Sequence, residues 1–319
     1  MTSLLETSLL EGNRVQEGLK IQTAELSTFL TACVGRINVL PAGEVPLGEA
    51  VGCAAGASGL VPAGELVSVA TTMELTSRGF TSLRVHPRPR VFVVAVGDEI
   101  DAAERAKLLA ALLELGGVRV TSLAGMSEES DDALEVLENQ LDSIDFVVLS
   151  ADVESELFIA LSQLIDLSVV QLKSEPGGVC AFAELRSPGG RAIPLVVLPT
   201  EWRAMAVLSE VLVGPMVRRR GGDHEIYQPI VRARLTSAVT PKMRGSTRDR
   251  AFIPGRLHEK KGMWHVEPLA TLHAPPIKGL SDSVFATSNC LAVIPAGTKE
   301  LEKGDVVGVM RLDGRRTGG

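Results

Sequence analysis

Residues able to do chemistry stand where predicted strands end. Gly97, Asp98 and Glu99 directly follow the apolar run Val91–Val96. Ligands of open α/β sheets bind beyond the carboxyl ends of strands, where carboxylates hold a metal or orient a hydroxyl. The same acidic residues would also stabilise the N-terminus of a following helix, because the helix dipole favours negative charge there. Composition alone favours this second, structural role.

Two further loops give weaker indications of a ligand-binding site. Ser150 ends a short apolar strand and is followed by residues 151–156, which hold three carboxylates and no glycine. Backbone amides converge on an anion most easily in glycine-rich loops, so this loop argues against an anion site. Pro176 and Gly177 lie in the loop after the next predicted strand. That loop is consistent either with a site that presents Lys173 and open amides or with a plain turn.

Familiar catalytic and metal-binding motifs are missing from the sequence. It contains no Gly-x-Ser-x-Gly elbow, no Walker loop and no Gly-x-Gly-x-x-Gly fingerprint. The five histidines show no zinc-ligand spacing. A net charge of −7 and an aromatic content of 3% disfavour nucleic-acid binding and base stacking. The residues alone therefore predict neither a metal centre nor a nucleic-acid partner.

The net charge conceals an asymmetry along the chain. Residues 97–160 hold 16 Asp and Glu against 3 Lys and Arg, a balance of −13. Residues 214–319 hold 18 Lys and Arg against 10 Asp and Glu, a balance of +8. Most of these charges are expected on solvated faces. The opposite signs are also suited to electrostatic docking between domains or between protomers.

The element pattern predicts an α/β fold with a mostly parallel sheet flanked by helices. From Val91 onwards, apolar β-branched runs alternate with amphipathic segments. Ser187–Gly190 marks a hairpin and so one antiparallel excursion. Upstream, the pattern predicts helices over 13–34, after Pro46 and between Pro62 and Gly79, and irregular chain over His86–Arg90.

These patterns divide the chain into three parts. Residues 1–86 are predicted to form a helical and linker segment, residues 87–221 an α/β domain, and residues 222–319 a small all-β domain. The four cysteines are far apart and predict reduced thiols in a cytoplasmic protein. No apolar run approaches the ~18 residues of a membrane span, so no membrane insertion is expected.

The order of several short motifs resembles the MoeA and gephyrin E-domain family of molybdenum cofactor synthesis. Val45–Gly52 resembles the family's Pro-Leu-x-Glu-Ala-x-Gly stretch, and Val96–Ile100 resembles its Thr-Gly-Asp-Glu-Leu motif. Further segments in matching order are Arg88–Val91, Asp145–Ser150, Pro176–Gly177, Leu198–Pro199, Gly214–Pro215, Ser288–Pro295 and Lys303–Asp305. The resemblance covers most of the chain from Val45. It implies a molybdopterin-binding-like α/β domain, a final β domain and a homodimer.

The resemblance fails at the family's ligand loops. The glycine-rich Ser-Gly-Gly-x-Ser-x-Gly loop corresponds to Ser150–Glu156, in which every glycine is lost. The family's Pro-Gly-Lys-Pro becomes Pro176–Val179 without the lysine, and its Leu-Pro-Gly-Asn-Pro becomes Leu198–Trp202. The stretch between Gly52 and Pro62 is too short for the family's elongated second domain. The resemblance thus implies a divergent member with a truncated first domain, no second domain and few intact active-site loops.

Three functions follow as expectations from this resemblance. The first is a catalytically degenerate, homodimeric scaffold without a cofactor, which binds a protein partner or peptide through the C-terminal β domain. The second is an active molybdopterin molybdenumtransferase that inserts molybdate into adenylylated molybdopterin, with Asp98 catalytic and Mg²⁺ on Asp98 and Glu99. The remnants of the family's ligand site are Gly97, Asp98, Glu99, Ser150, Pro176 and Gly177. The third is a regulatory partner of an intact paralogue.

Overall fold

A long mixed sheet organises the part of the protein that the structure describes. The structure is a computed structural model. The described residues are 21–56, 60–115, 118–126, 131–240, 243, 246–269, 287–298 and 300–312. Within them, twelve strands join one continuous sheet and three more form a small separate sheet. None of the described helices is long and apolar enough to cross a membrane.

The described elements follow one another from Gln22 to Arg311. The strands are β1 (Gln22–Glu25), β2 (Gly43–Pro46), β3 (Gly52–Ala54), β4 (Ser82–Pro87), β5 (Val91–Val96), β6 (Val120–Met126), β7 (Phe146–Ser150), β8 (Ser168–Glu175), β9 (Val179–Arg186), β10 (Ala192–Leu198), β11 (Ile230–Leu235), β12 (Arg250–Lys260), β13 (Met263–Pro268), β14 (Cys290–Ile294) and β15 (Val306–Arg311). The helices are α1 (Leu26–Arg36), α2 (Val69–Ser77), α3 (Glu99–Leu115), α4 (Asp131–Gln140), α5 (Glu156–Leu164), α6 (Trp202–Leu208) and α7 (Gly214–Arg220). A π-helical turn, Ser209–Val213, joins α6 to α7.

The central sheet is mixed, so the prediction of a mostly parallel sheet needs correction. Strands β6, β5, β7 and β10 lie side by side and parallel, as predicted from their alternation with helices. Strand β9 then runs antiparallel to both β10 and β8. Most strand pairings beyond β8, among β11 to β15, are also antiparallel. Part of the cause is local, because the short turns between β8 and β9, β9 and β10, and β12 and β13 cannot carry a parallel crossover.

Apolar packing on both faces explains why the central strands read as continuous hydrophobic runs. Every residue of β5 and β7 is buried. Alternate residues of β5 point to opposite faces, where Val91, Val93 and Ala95 join one core cluster and Phe92, Val94 and Val96 another. Helices α1, α3, α6 and α7 cover the first face, and α4 and α5 cover the second. This burial fixes the strand ends that carry the predicted site residues.

An ionic cluster ties together the starts of three parallel strands. Asp145, before β7, accepts hydrogen bonds from Arg90 Nε at 2.9 Å and Arg90 Nη2 at 3.1 Å, and it pairs with Arg191 before β10. Asp145 is 5% exposed. Burial raises the pKa of this carboxyl, but the hydrogen bonds and charges of the two arginines outweigh burial and hold the pKa below its ordinary value. Two segments of the family-like motifs, 88–91 and 145–150, therefore have a structural role at this edge.

The N-terminal part departs from several predictions. The predicted 13–34 helix is only partly observed, because helix α1 begins at Leu26 and extends two residues past position 34. Residues 22–25 of that prediction form strand β1, which pairs with β8, and its first residues fall outside the described part of the chain. The predicted helix after Pro46 is wrong, because a 3-10 turn at Leu47–Glu49 leads into strand β3. Strand β3 pairs so closely with β4 that a Cβ on Gly52 would stand 2.0 Å from the carbonyl oxygen of His86. His86 and Pro87, predicted as irregular, therefore end a regular strand.

The last five strands close into a barrel. Their neighbour order is β12, β13, β11, β15, β14 and back to β12. Ala233, Leu257 and Val309 belong to the apolar cluster that fills its interior. The first residues of β12 pair with the end of β8, which joins the barrel to the central sheet. The strands predicted at Met263–Pro268 and Cys290–Ile294 are observed with those bounds, while the division into 1–86, 87–221 and 222–319 stays a prediction.

The four cysteines are buried thiols without disulfides. They lie at Cys33, Cys53, Cys180 and Cys290. Burial raises the pKa of the Cys33 thiol to about 12, although the charge of Arg36 acts in the opposite direction. Thiols with such a pKa are poor nucleophiles, because the thiolate is the reactive form. These cysteines act as small core residues.

Candidate functional site

The carboxyl ends of four parallel strands bring the predicted site residues to one edge of the sheet. Ser150, the last residue of β7, lies opposite Ala95 on β5 and Leu198 on β10. Strand β8 runs in the same direction as β10, because both are antiparallel to β9. The loops that begin at Gly97, Ser150, Pro176 and Pro199 therefore leave the sheet on the same side. This is where open α/β sheets bind ligands.

The loop after β5 is shaped by a buried arginine. Gly97 is buried, and a Cβ there would stand 2.8 Å from Nη2 of Arg105. The same Nη2 donates to Oδ2 of Asp101 at 2.9 Å, one helical turn earlier in α3. The Asp98 side chain is exposed, and its carbonyl oxygen accepts from the amide of Ala102 at 2.7 Å. The predicted helix start after Gly97 is thus observed.

A protein-only metal site is not formed by the side chains that the structure describes. Among them, no three His, Cys, Asp or Glu residues stand close enough to hold a metal ion. Asp98 presents one exposed carboxylate, and the side chain of Glu99 lies outside the described part of the chain. Mg²⁺ needs several oxygen ligands and usually shares them with substrate phosphates. The described residues therefore do not fit a resident Mg²⁺ without a phosphate ligand.

The polar side chains of the loop after β7 form hydrogen bonds with a neighbouring loop and with the start of α5. Thr200 Oγ1 donates to Oδ1 of Asp152 at 2.8 Å, which ties this loop to the loop after β10. Ser155 Oγ accepts from the amide of Phe158 at 3.3 Å and begins α5. Ser150 is 0% exposed, and its Oγ has no hydrogen-bond partner within the described residues. The loop thus leaves one buried hydroxyl at the site.

A polar cleft of about 470 Å³ opens between the β8–β9 turn, the start of α6 and the start of β12. The lining includes the predicted remnants Pro176 and Gly177. Its lining residues are Gln171, Leu172, Ser174, Glu175, Pro176, Gly177, Gly178, Glu201, Arg203 and Asp249. Lys173 does not line the cleft, and its Nζ lies 3.8 Å from Oε1 of Glu25. The structure therefore places Pro176 and Gly177, but not Lys173, at the cleft.

Negative charge predominates in this cleft. Three of its lining residues, Glu175, Glu201 and Asp249, are carboxylates, and Arg203 is a cation. The Arg203 guanidinium lies over the Trp202 ring at 5.5 Å, and its Nε is 3.8 Å from Oε1 of Glu201. Glu201 also accepts from the amide of Ala204 at 2.7 Å and so begins α6. The balance of carboxylates over cations makes this cleft unfavourable for an anion.

Sequence reasoning found some of these residues and missed others. Glu201 lies in the Leu198–Trp202 segment. This segment differs from the family's Leu-Pro-Gly-Asn-Pro motif, and that difference could have indicated Glu201 from the sequence. Asp249 carries no comparable signal, because it enters the cleft only through the pairing of β12 with β8. Gly97, Asp98 and Ser150 meet at the adjacent strand ends, but they do not line this cleft. The predicted ligand-site residues therefore lie in two neighbouring groups on the same edge of the sheet, one in the cleft and one at the adjacent strand ends.

Comparison with known proteins gives a consistent relationship. No family model matches the sequence. The chain is 29% identical over 269 residues to Molybdopterin molybdenumtransferase 1 of two Mycobacterium tuberculosis strains, CDC 1551 and H37Rv. The chain is thus similar to MoeA proteins over most of its length, with substantial divergence. The alignment covers 79% of the chain and 61% of the curated relatives, so the chain spans less than two thirds of the length of those proteins.

Solved MoeA structures share the fold of this MoeA relative. A MoeA protein from Pyrococcus horikoshii superposes with a TM-score of 0.69 at 16% identity, covering 91% of this chain and 99% of that one. A molybdenum cofactor biosynthesis protein from Pyrococcus furiosus gives a TM-score of 0.64 at 16% identity, covering 91% and 100%. The MoeA-like α/β fold expected from the resemblance is therefore confirmed, although its sheet is mixed and not mostly parallel. Only residues 55–68 separate β3 from α2, which leaves no room there for a separate domain.

Proposed function

We propose that this MoeA relative is a catalytically inactive binding protein of molybdenum cofactor biosynthesis. The observation that carries the proposal is the acidic cleft at the carboxyl edge of the sheet, lined by Glu175, Glu201 and Asp249. The exposed carboxylates of Asp98 and Asp152 lie on the same edge. Nothing in the loop after β7 replaces the lost glycines, since Asp152 and Ser155 bond within the loops themselves.

Electrostatic repulsion is the physical reason to expect that this acidic cleft does not bind the anionic ligands of the family. Molybdate and the phosphate of molybdopterin are anions. Two like charges about 5 Å apart repel by ~3 kcal/mol at an effective dielectric constant of ~20. Three carboxylates therefore disfavour a bound anion, although the exposure of Glu201 to water weakens its contribution. Arg203 offsets part of this repulsion, but it already stands beside Glu201.

Direct titration tests the loss of ligand binding. We expect calorimetry of the full chain with molybdopterin, and separately with molybdate, to show no binding at micromolar concentrations. Glu175→Gln combined with Asp249→Asn should make any residual binding stronger, because both changes remove negative charge from the cleft. Asp166→Asn removes an exposed carboxylate elsewhere and serves as the control. Micromolar binding by the unmodified chain, accompanied by molybdenum transfer, would contradict the proposal.

An active molybdopterin molybdenumtransferase is the second candidate. The specific observation in its favour is the Ser150 hydroxyl, fully buried without a hydrogen-bond partner in the described part of the chain, beside the Gly97 loop. Pro176 and Gly177 line a real cleft on the same edge. In this alternative Mg²⁺ would reach Asp98 and Glu99 together with substrate phosphate. A molybdenum-transfer assay of the unmodified chain tests this alternative. If the chain is active, Asp98→Ala should abolish the activity.

The scaffold role adds two expectations about association. The family resemblance supports a homodimer and a protein or peptide partner at the C-terminal β domain. A regulatory role beside an intact paralogue would instead produce a heterodimer. Native mass spectrometry of the chain alone and mixed with such a paralogue separates these cases, because the two assemblies differ in mass.

A further inference from the structure

One outer face of the C-terminal barrel carries a concentration of positive charge. In β11, β12 and β13, the residues that alternate with the interior side chains Ala233, Leu257 and Val266 point outward. The outward basic side chains, which we call the basic barrel face, are Arg232, Arg234, Arg256, His258, Lys260 and His265. All are exposed except His265, which is half-buried. The face spans three neighbouring strands.

Strand register aligns the centre of this face. His258 on β12 stands directly opposite His265 on β13, and the two rings stack with centroids 5.7 Å apart and an interplanar angle of 19°. On the other side of His265, the register places Arg234 of β11. With strands spaced by about 4.8 Å, the row of three side chains is roughly 10 Å wide.

The permanent cations of the basic barrel face have no ion-pair partner within the described residues. Elsewhere arginines pair with carboxylates, as Arg90 and Arg191 do with Asp145, and Arg218 does with Glu210. By contrast, Arg232, Arg234, Arg256 and Lys260 form no ion pair with any described carboxylate.

Backbone contacts hold two of the guanidinium groups without neutralising them. Arg234 Nη1 donates to the carbonyl oxygen of Gly304 at 3.3 Å, and Arg256 Nε donates to that of Thr287 at 3.2 Å. Glu267 is exposed opposite Arg256 on the same face, yet the two do not form an ion pair in the described structure. The face therefore combines oriented donors with positive charge that forms no ion pair among the described residues.

We propose that the basic barrel face docks an acidic segment of a partner protein. The proposal deepens the scaffold function proposed above, and it rests on it, by naming the chemical class of the partner. Guanidinium groups bind carboxylates through paired hydrogen bonds, and three of the four permanent cations are arginines. Nδ1 of His265 lies 3.1 Å from the carbonyl oxygen of Met263, an obligate acceptor, so its Nε2 is the atom left for a ligand.

Charge also argues for a protein segment over a nucleic acid. A nucleic-acid strand carries one negative charge about every 3.4 Å, and the chain as a whole has a net charge of −7. A long polyanion would meet the acidic remainder of the molecule and the Glu267 carboxylate within the face. A short acidic segment can engage the three-strand row without crossing those regions.

Binding to this face should weaken as the salt concentration rises. The permanent cations of the basic barrel face are exposed, and mobile ions screen exposed charges beyond about 10 Å at 0.1 M salt.

A peptide titration with the full chain tests the proposal. The probe is a fluorescent peptide of alternating Glu and Ser, titrated at low salt and followed by polarisation. We expect binding at pH 7 that weakens at high salt. Arg234→Glu with Arg256→Glu should weaken it roughly tenfold or more, because attraction becomes repulsion. Arg84→Glu with Arg119→Glu makes the same charge change on exposed residues away from the barrel and should preserve most of the binding.

Further measurements keep the proposal falsifiable if the first pair of substitutions misfolds. Arg232→Gln with Lys260→Gln should also weaken binding, because these changes remove two permanent cations from the face without adding negative charge. Absence of peptide binding, equal weakening by the control pair, or tighter binding of an oligouridine at the same salt would each overturn the proposal. Self-association of the chain that is lost in Arg234→Glu would also overturn it, because the occupant would then be a second copy. None of these outcomes alters the molybdopterin titration, so the two proposals fail separately.

Discussion

At the scale of single residues, Asp145 shows how one buried charge holds an edge of the sheet. Its carboxylate joins Arg90 and Arg191, which precede two other parallel strands. Removing one partner of a buried ionic cluster leaves the remaining charges without compensation, which typically costs about 3 to 5 kcal/mol. The position therefore matters for stability, although it lies at the opposite end of the strands from the candidate site.

We expect Asp145→Ala to lower the free energy of unfolding by roughly 3 kcal/mol at pH 7. Because the folded-state pKa of Asp145 lies below its unfolded value, its contribution is present above the unfolded pKa. It is lost as pH falls through the folded pKa. The difference between wild type and variant should therefore shrink below about pH 4. Urea denaturation across this range measures it, and the exposed Asp166→Asn provides the control. A difference that stays constant down to the acid limit would refute this account.

At the scale of elements, the close pairing of β3 with β4 explains a failed helix prediction. The segment after Pro46 has the composition of a short helix, but its glycine at position 52 has a φ of 142° and lies against the backbone of His86. A residue with a Cβ cannot occupy that place without moving the strand. The neighbouring strand therefore overrides the local propensity.

Gly52→Ala should consequently destabilise the small three-stranded sheet. We expect a loss of roughly 2 kcal/mol or more, since the new Cβ would stand 2.0 Å from a carbonyl oxygen. Gly43→Ala in β2 is the matched control, because a Cβ there meets nothing within 4 Å. Thermal unfolding followed by circular dichroism compares the two variants. Equal stability of both would show that the β3–β4 contact is unimportant.

At the scale of the whole molecule, an exposed apolar surface bears on assembly. Val69 and Met73 stand one turn apart on α2 and are 77% and 68% exposed. Leu66 and Val51, also exposed, belong to the same small unit. Burying such side chains between two subunits is favourable by about 25 cal/mol per Å² of apolar area. The homodimer implied by the family resemblance would give these residues a partner.

Sedimentation equilibrium should therefore give twice the chain mass of 33.8 kDa. Val69→Ser with Met73→Ser should shift the protein towards that single-chain mass, because it removes the apolar gain. Leu123→Ser, at a residue 47% exposed on β6, is the control and should leave the dimer intact. A wild-type chain that remains a monomer at high micromolar concentration would rule out the expected homodimer.

The sequence by itself determined the elements whose signals are local. The apolar runs of β5 and β7, the glycine after β5 and the strands Met263–Pro268 and Cys290–Ile294 were readable because burial and turn chemistry act over a few residues. The order of short motifs also sufficed to indicate the MoeA relationship. The charge asymmetry between residues 97–160 and 214–319 was likewise visible from composition.

Only the tertiary structure decided which of these residues meet. Strand pairing brings Asp249 to the cleft that Glu175 also lines, and it aligns Arg234, His265 and His258 in one row. It also separates Pro176 and Gly177 from Asp98, although sequence reasoning had placed all of them in one ligand site. The physical reason is that register depends on contacts between residues far apart in the chain, which no local pattern encodes. The acidic cleft and the basic barrel face exist only once those contacts form.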